Sequence, residues 1–173
     1  MPTIIEVAGK ARVSPSTVSH VVNNTRFVSE SLRQRVQEAM NELGYRPNTL
    51  ARSLRRGVTQ TIGLILPDSS NPHFAEIGHA IEAAAIEREY SIVLCNTEND
   101  QNKERLYTEV LENKQVDGVI FVAAGQQTDA LRELIRNKMP VVLVDRDLPG
   151  VQVDTVFHDN LLGGRLATQY LFV

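Results

Sequence analysis

The side chains best placed to do chemistry in this 173-residue chain cluster near its start. Ser14 and Pro15 supply a helix start, an N-cap followed by a proline at the first helical position. At 100° per residue Val18, Val21 and Val22 then share one face and should pack inward. Ser16, Ser19, His20 and Asn23 point outward, with Thr17 beside them. This outward face is short-chained and hydrogen-bonding, and it holds no Asp or Glu. A solvated helix usually carries long charged side chains there. A helix that enters the major groove of DNA needs slim donors and acceptors and no anions. The pattern points to nucleic-acid recognition, and a three-helix bundle with a Ser/Thr-rich surface is the alternative it leaves open.

Two further groupings carry chemistry. Between the cap Asn48 and Gly57, Thr49 to Arg56 reads as a two-turn helix bearing Arg52, Arg55 and Arg56 together with Leu50 and Leu54. So short a helix is marginal in isolation. Being both basic and apolar, it suits folding on a polyanion, with Leu54 as a wedge between base steps of the minor groove. A solvated linker would carry the same arginines. Further on, an Asp–Arg pair in Asp145-Arg146-Asp147 joins an Asn and an aromatic in the Pro67–Phe74 segment. Carboxylate acceptors, a guanidinium donor and an apolar ring suit a sugar. The alternative is a plain Asn71-Pro72 turn and a surface ion pair. His73 and His79 receive no role, Cys95 reads as a small core residue, and Gly163-Gly164 reads as a point of close helix packing.

The elements that position these residues follow from periodicity. A first helix opens at Thr3-Ile4-Ile5-Glu6, which has capping-box spacing, and turns Ile4, Val7, Ala8 and Ala11 to one side. Only Arg12 and Val13 separate it from the Ser14 cap, so two helices meet through a tight turn, the helix-turn-helix arrangement. A third helix runs from near Ser29, with Leu32, Val36, Ala39, Met40 and Leu43 inward and Gly44 as its stop. Beyond residue 60, unalternating apolar runs at Thr61–Leu66, Ser91–Cys95, Gly118–Val122, Val141–Val144 and Val153–Phe157 predict parallel strands covered on both faces. Helical stretches lie between the first four. Phe74–Glu89 presents Ile77, Ala80, Ile81 and Ala84. Lys103–Lys114 presents Leu106, Tyr107, Val110 and Leu111, and Asp129–Lys138 presents Leu131, Leu134 and Ile135. The expected fold is an all-α headpiece followed by an open, doubly wound α/β sheet. Ligands of such sheets bind off the carboxyl ends of the strands.

Charge divides along the same line. Residues 1–60 hold 9 Lys/Arg against 4 Asp/Glu, and residues 61–173 hold 9 against 17, within a net charge of −3. A basic segment joined to an acidic one suggests two parts with different partners. At 42% hydrophobic and 23% charged, the composition is that of a globular protein rather than a disordered one. A lone cysteine allows no intrachain disulfide, and a reducing cytoplasm is the simplest compartment. The sequence shows no secretion signal or membrane-spanning run, and no zinc-ligand cluster, P-loop, Gly-rich dinucleotide turn or G-x-S-x-G elbow. Neither catalysis nor a cofactor is expected.

Ile5-Glu6-Val7-Ala8, Val13 through Asn23, Leu43-Gly44-Tyr45-Arg46-Pro47-Asn48 and Leu50-Ala51-Arg52-Ser53-Leu54 occur in that order. Together they resemble the lactose repressor family of bacterial transcription factors. Ser19-His20-Val21 and Thr25-Arg26-Phe27-Val28 look most like its purine and ribose repressor branch. The resemblance implies a helix-turn-helix domain at 1–46, a hinge helix at 47–57, and an effector-binding and dimerisation domain at 58–173 of the periplasmic sugar-binding type. It places Ser16, Thr17 and His20 in or beside the major groove, puts Pro15 at a position that often reads bases though it has no side-chain donor, makes Arg26 a further DNA contact, and leaves Ser19 among the DNA-binding residues of the same helix. Thr3, Ser14, Asn23 and Tyr45 fall at phosphates, which fix register without reading sequence. Leu54 becomes the intercalating leucine and Arg55 its minor-groove neighbour. Asn71, Phe74, Asp145 and Arg146 match effector-facing positions. The implied function is an operator-binding repressor in a bacterial cytoplasm, acting at the nucleoid as a homodimer on a pseudo-palindrome under a small-molecule effector such as a sugar.

Members of that family are about twice this length. The resemblance therefore implies a first sensor subdomain plus the first helix of a second, beginning near Asn160, with half of the ligand cleft and much of the dimer interface lying outside this sequence. A truncated or interfering fragment, or a small-molecule binding module without a regulatory role, are the alternatives.

Overall fold

The computed structural model describes residues 2–47, 53, 57–122, 129–145 and 148–172. They form two compact units, Met1–Arg52 and Ser53–Val173.

The first unit is three helices: α1 (Ile4–Ala11), α2 (Pro15–Asn23) and α3 (Glu30–Leu43). Both halves of the capping box at α1 form. Thr3 Oγ1 accepts from the Glu6 amide, and Glu6 Oε2 accepts from the Thr3 amide at 2.7 Å. Arg12 ends α1 in the left-handed region (φ 51°), its amide donating back to Ala8 O and Gly9 O. Asn24 ends α2 in the same way (φ 50°). Asn is among the few L-residues that visit this region readily, and arginine is not. Holding Arg12 there reverses the chain in two residues. Gly44 closes α3 at φ 63°, with the Tyr45 amide donating to Met40 O at 2.9 Å. Val7, Ala8, Ala11, Val18, Val21, Val36, Ala39 and Met40 form the buried core, flanked by half-buried Ile4, Val13, Val22, Leu43 and Tyr45. The inward faces expected from periodicity are those that pack, except that Leu32, only half-buried, is not part of this cluster.

The second unit runs β1 (Thr61–Leu66), α4 (Pro72–Ile86), β2 (Ser91–Asn96), α5 (Gln101–Asn113), β3 (Gly118–Phe121), α6 (Asp129–Arg136), β4 (Val141–Val144), β5 (Asp154–Val156) and α7 (Asn160–Leu171). The five strands form one parallel sheet in the order β2-β1-β3-β4-β5. Alternation along the strands sorts the core into two layers. Leu64, Leu66, Val122 and Val144 meet α4 through Phe74, Ile77 and Ile81. Ile65, Phe121 and Leu143 meet Leu111 of α5 and Leu131 and Leu134 of α6. The entry to β1 is clamped by Asp117, whose carboxylate accepts from the Thr59 and Gln60 amides, each at 2.7 Å.

Three helices differ in detail from the sequence expectation. α4 starts at Pro72 because Asn71 caps it, its side chain accepting from the His73 amide. Its inward stripe is Phe74, Ile77, Ile81 and Ala85, while Ala80 and Ala84 are exposed. The stripe differs from the expected one at Ala80 and Ala84 because the larger Phe74, Ile77 and Ile81 take the sheet side, with Gly78 facing Leu66 at ordinary contact distance. α5 buries Glu104 and Thr108 beside Leu111, with Leu106 left 55% exposed. An apolar count cannot anticipate this, since Thr108 Oγ1 satisfies itself on Glu104 O at 2.8 Å. None of the residues of α7 is buried, and Gly163 and Gly164 face open space, so the close packing expected there does not occur among the described residues.

Gly63 sets how near α5 lies to β1. A Cβ at Gly63 would fall 2.5 Å from a Leu111 methyl whose own side chain is fully buried. Gly63→Ala should destabilise the chain by about 1–3 kcal/mol through overpacking. Adding Leu111→Ala should cost less in that background than alone, as urea denaturation would show. Strict additivity of the two changes would disprove the contact.

Candidate nucleic-acid interface and ligand-binding edge

α2 is built from its cap outward. Ser14 Oγ accepts from the Thr17 amide at 3.1 Å and lies 2.7 Å from Ser16 Oγ and 2.9 Å from Thr17 Oγ1. Three hydroxyls are thus linked at the N-terminus of the helix, where unpaired amides favour an anion. Ser14, Pro15 and Ser16 are exposed, and Thr17, Ser19, His20 and Asn23 are half-buried. Asn23 Nδ2 donates to Ser19 O at 2.8 Å, and His20 Nδ1 pairs with Thr25 Oγ1 at 2.8 Å. Beneath this face Val18 is fully buried and Val21 nearly so.

The remaining sequence-derived positions sit around this helix or outside the described residues. Arg26 is exposed in the loop after α2, and Phe27 beside it is 96% exposed. Thr3 is exposed but engaged, its hydroxyl donating to Glu6 Oε2 at 2.8 Å. Tyr45 is half-buried against the helical core. Leu54 and Arg55, and most of the hinge segment, lie outside the described residues. Arg35 was not anticipated. Its guanidinium donates to Ala11 O at 2.6 Å, tying α3 to the carbonyl end of α1 and steadying the turn that presents α2. No periodicity argument finds such a contact, because Arg35 lies on the exposed side of α3's repeat.

The second unit gathers polar side chains at the carboxyl ends of its strands. Asn71 caps α4, and Asn96 at the end of β2 accepts from the Ser69 amide at 2.9 Å. Asp68 accepts from the hydroxyl and amide of Ser70, which hold its carboxyl below the usual aspartate value. Phe74 is half-buried and packs on the β1 side of the sheet. Asp145 follows β4 at φ 76°, its amide donating to Val156 O at 2.9 Å, its side chain only 20% exposed. Arg146 lies outside the described residues. The structure adds two residues that sequence reading left without a role. His73 Nε2 stands 3.9 Å and His158 Nδ1 3.8 Å from the same Asp145 Oδ1. The strand-end rule names the His158 segment, but only the β4–β5 pairing brings it beside Asp145.

Comparison with known proteins agrees with this division. Residues 3–48 match the model of bacterial regulatory proteins of the lacI family. Residues 59–173 match that of periplasmic binding proteins and the sugar-binding domain of the same family. The chain is 40% identical over 172 residues to the HTH-type transcriptional repressor PurR of Aliivibrio salmonicida, covering 99% of this chain and 52% of that one. It is 42% identical over 173 residues to the ribose operon repressor of Escherichia coli, with 99% and 52% covered. Among solved structures, the lac repressor dimer bound to operator and the anti-inducer ONPF superposes with a TM-score of 0.83 at 26% identity, covering 99% of this chain and 52% of that chain. The chain spans about half the length of the relatives it matches. Among the described residues no helix is long and apolar enough to cross a membrane.

The α1 cap gives a pH-dependent expectation. Hydrogen bonds from the Thr3 backbone and then its side chain hold the Glu6 carboxyl below its ordinary value. A carboxyl lowered on folding adds stability above its unfolded pKa and loses it as pH falls through the folded one. Thr3→Ala should raise the Glu6 titration midpoint and let α1 fray at higher pH. A carboxyl titration followed by NMR checks this; an unchanged Glu6 midpoint in Thr3→Ala would refute the capping role.

Proposed function

The chain belongs to the lacI family of bacterial regulatory proteins, and we propose that it is a sequence-specific DNA-binding regulator of repressor type controlled by a small-molecule effector. The observation that carries this is the exposed face of α2, a run of hydroxyl, imidazole and amide groups without a carboxylate, mounted on a two-residue turn in the basic part of the chain. On this reading Ser16, Thr17, Ser19 and His20 meet base edges in the major groove, with Pro15 and Arg26 at its border. Thr3, Ser14, Asn23 and Tyr45 meet phosphates. Leu54 and Arg55 act at the minor groove as the family resemblance implies. Residues 1–46 read DNA, 47–57 form the hinge, and 58–173 carry the effector and dimer functions. Two linked headpieces on a pseudo-palindrome would bind far more tightly than one. A bacterial cytoplasm, at the nucleoid, is the proposed location.

For the effector we propose a sugar or related metabolite held by Asn71, Phe74, Asp145 and Arg146 at the strand ends. The relatives are named as transcriptional repressors, and no catalytic step belongs to this function.

A gel-shift titration with a palindromic operator-like duplex and a scrambled one tests the DNA reading. The operator-like duplex should bind more tightly, by tenfold or more, at physiological salt. His20→Ala should cut that preference by about tenfold, the order expected for one lost base contact. Equal affinity of the unaltered chain for both duplexes would sink the proposal. Calorimetry with pentoses, hexoses and purines tests the effector: because the resemblance puts half of the cleft outside this sequence, binding of one class should be weak, and Phe74→Ala should weaken it further, several-fold. Binding that Phe74→Ala leaves unchanged would remove the effector assignment.

A further inference from the structure

We propose that His73, Asp145 and His158 form a binding site for a divalent transition-metal ion of the zinc type. The three side chains come from three elements: the first turn of α4, the residue after β4, and the segment between β5 and α7. One donor atom from each lies within 4.8 Å of the other two. The two imidazole nitrogens stand 3.9 and 3.8 Å from a single oxygen, Asp145 Oδ1. These distances are too long for hydrogen bonds. Two imidazoles therefore share one carboxylate oxygen at ion-pair distance without hydrogen bonds.

The spacing is somewhat wider than one ion would draw it. Zinc-type bonds to nitrogen and oxygen are about 2.0–2.2 Å long, which puts tetrahedral donors about 3.3 Å apart. Rotations of the His73 and His158 side chains, 50% and 60% exposed, would close the remaining gap. The central ligand is better fixed. Asp145 is largely covered, and its amide is bonded to β5. The His73 amide is bonded to the Asn71 side chain, and its ring meets Phe74 edge-on at 5.2 Å between centroids. The His158 ring lies 5.8 Å from the His73 ring, which keeps both imidazoles on one side of the carboxylate.

The donor set also selects the ion. Calcium and magnesium take oxygen ligands, whereas two imidazoles and one carboxylate suit zinc, cobalt or nickel. Three protein ligands leave one position open to water or to an oxygen of a small molecule at the strand ends. Such an ion would join α4, β4 and the start of α7. The site shares Asp145 with the effector contacts proposed above, but its test reads metal binding alone, with no effector or DNA present, so a failed effector titration and a failed metal titration are distinguishable.

Purified, untagged chain titrated with Co²⁺ should develop visible absorption saturating at one equivalent, and Zn²⁺ in competition with a chromophoric chelator should displace it. His73→Gln and His158→Gln should each weaken binding by about 100-fold or more, since loss of even a group that only orients a ligand costs 10–100-fold. His79→Gln, on the exposed side of α4, should change nothing. Circular dichroism of each variant checks that the fold persists, and Asp145→Asn provides an independent third ligand deletion. Absence of stoichiometric binding at micromolar metal, or binding that survives His73→Gln and His158→Gln, would overturn the proposal. A failed gel shift would leave it intact.

Discussion

What α2 can offer a partner depends on what it buries. Val18 and Val21 are sealed against Val7, Ala8, Ala11, Val36, Ala39 and Met40, and on a helix that choice fixes which side chains remain outside. Withdrawing two or three valine side chains from water, at roughly 1.5–3 kcal/mol each, outweighs any preference of the small polar residues for one orientation. The polar face is thus set by the apolar one. The turn at Arg12 and the Arg35 contact with Ala11 O then fix the angle at which that face is shown. A reading helix has to arrive pre-oriented, since every rotamer and loop ordered on binding subtracts from affinity.

The same constraint governs the sheet unit. β1 is an interior strand, between β2 and β3, and its second half is buried, so alternate residues must serve two cores, Leu64 and Leu66 toward α4 and Ile65 toward α5 and α6. Parallel pairing sends all the strands' carboxyl ends to one edge. Backbone groups there have left the ladder, and side chains must satisfy them. Asn71 capping α4, Asn96 on the Ser69 amide and Asp68 on Ser70 are that satisfaction. Asp145 differs. Its amide is paired, its φ is 76°, and its carboxylate is directed at two imidazoles with which it makes no hydrogen bond.

Local signals made the headpiece and the strand order of elements readable. Thr3-x-x-Glu6, Ser14-Pro15 and Gly44 are caps whose chemistry acts within four residues, and each sits where the sequence places it. Strand runs are equally local, and their ends fall within one residue of the reading. Helix faces in the sheet unit were less legible. The depth at which α5 sits is set by Gly63, a residue whose effect lies in what it lacks. Periodicity counts apolar residues and so overlooked buried Glu104 and Thr108. The His73–Asp145–His158 grouping was not legible at all, because His73 lies far from the other two in sequence and all three meet only through the β4–β5 pairing and the placement of α4.

Net charge shows why the two units have to be weighed separately. An overall −3 conceals a first segment with 9 cations to 4 anions and a second with 9 to 17. At physiological salt charges are screened over about 8 Å, far less than the size of either unit. A phosphate approaching α2 therefore responds to the local cations and to the helix N-terminus rather than to the total. The excess of carboxylates after residue 60 opposes non-specific attachment of that part to a polyanion. It also suits a strand-end site whose ligand is rich in hydroxyls or is a cation. On the proposed function, one chain must hold phosphates with one part and keep the other free of them. Segregating the charge asks little of either core, because among the described residues most charged side chains are exposed and Glu104 is the buried exception.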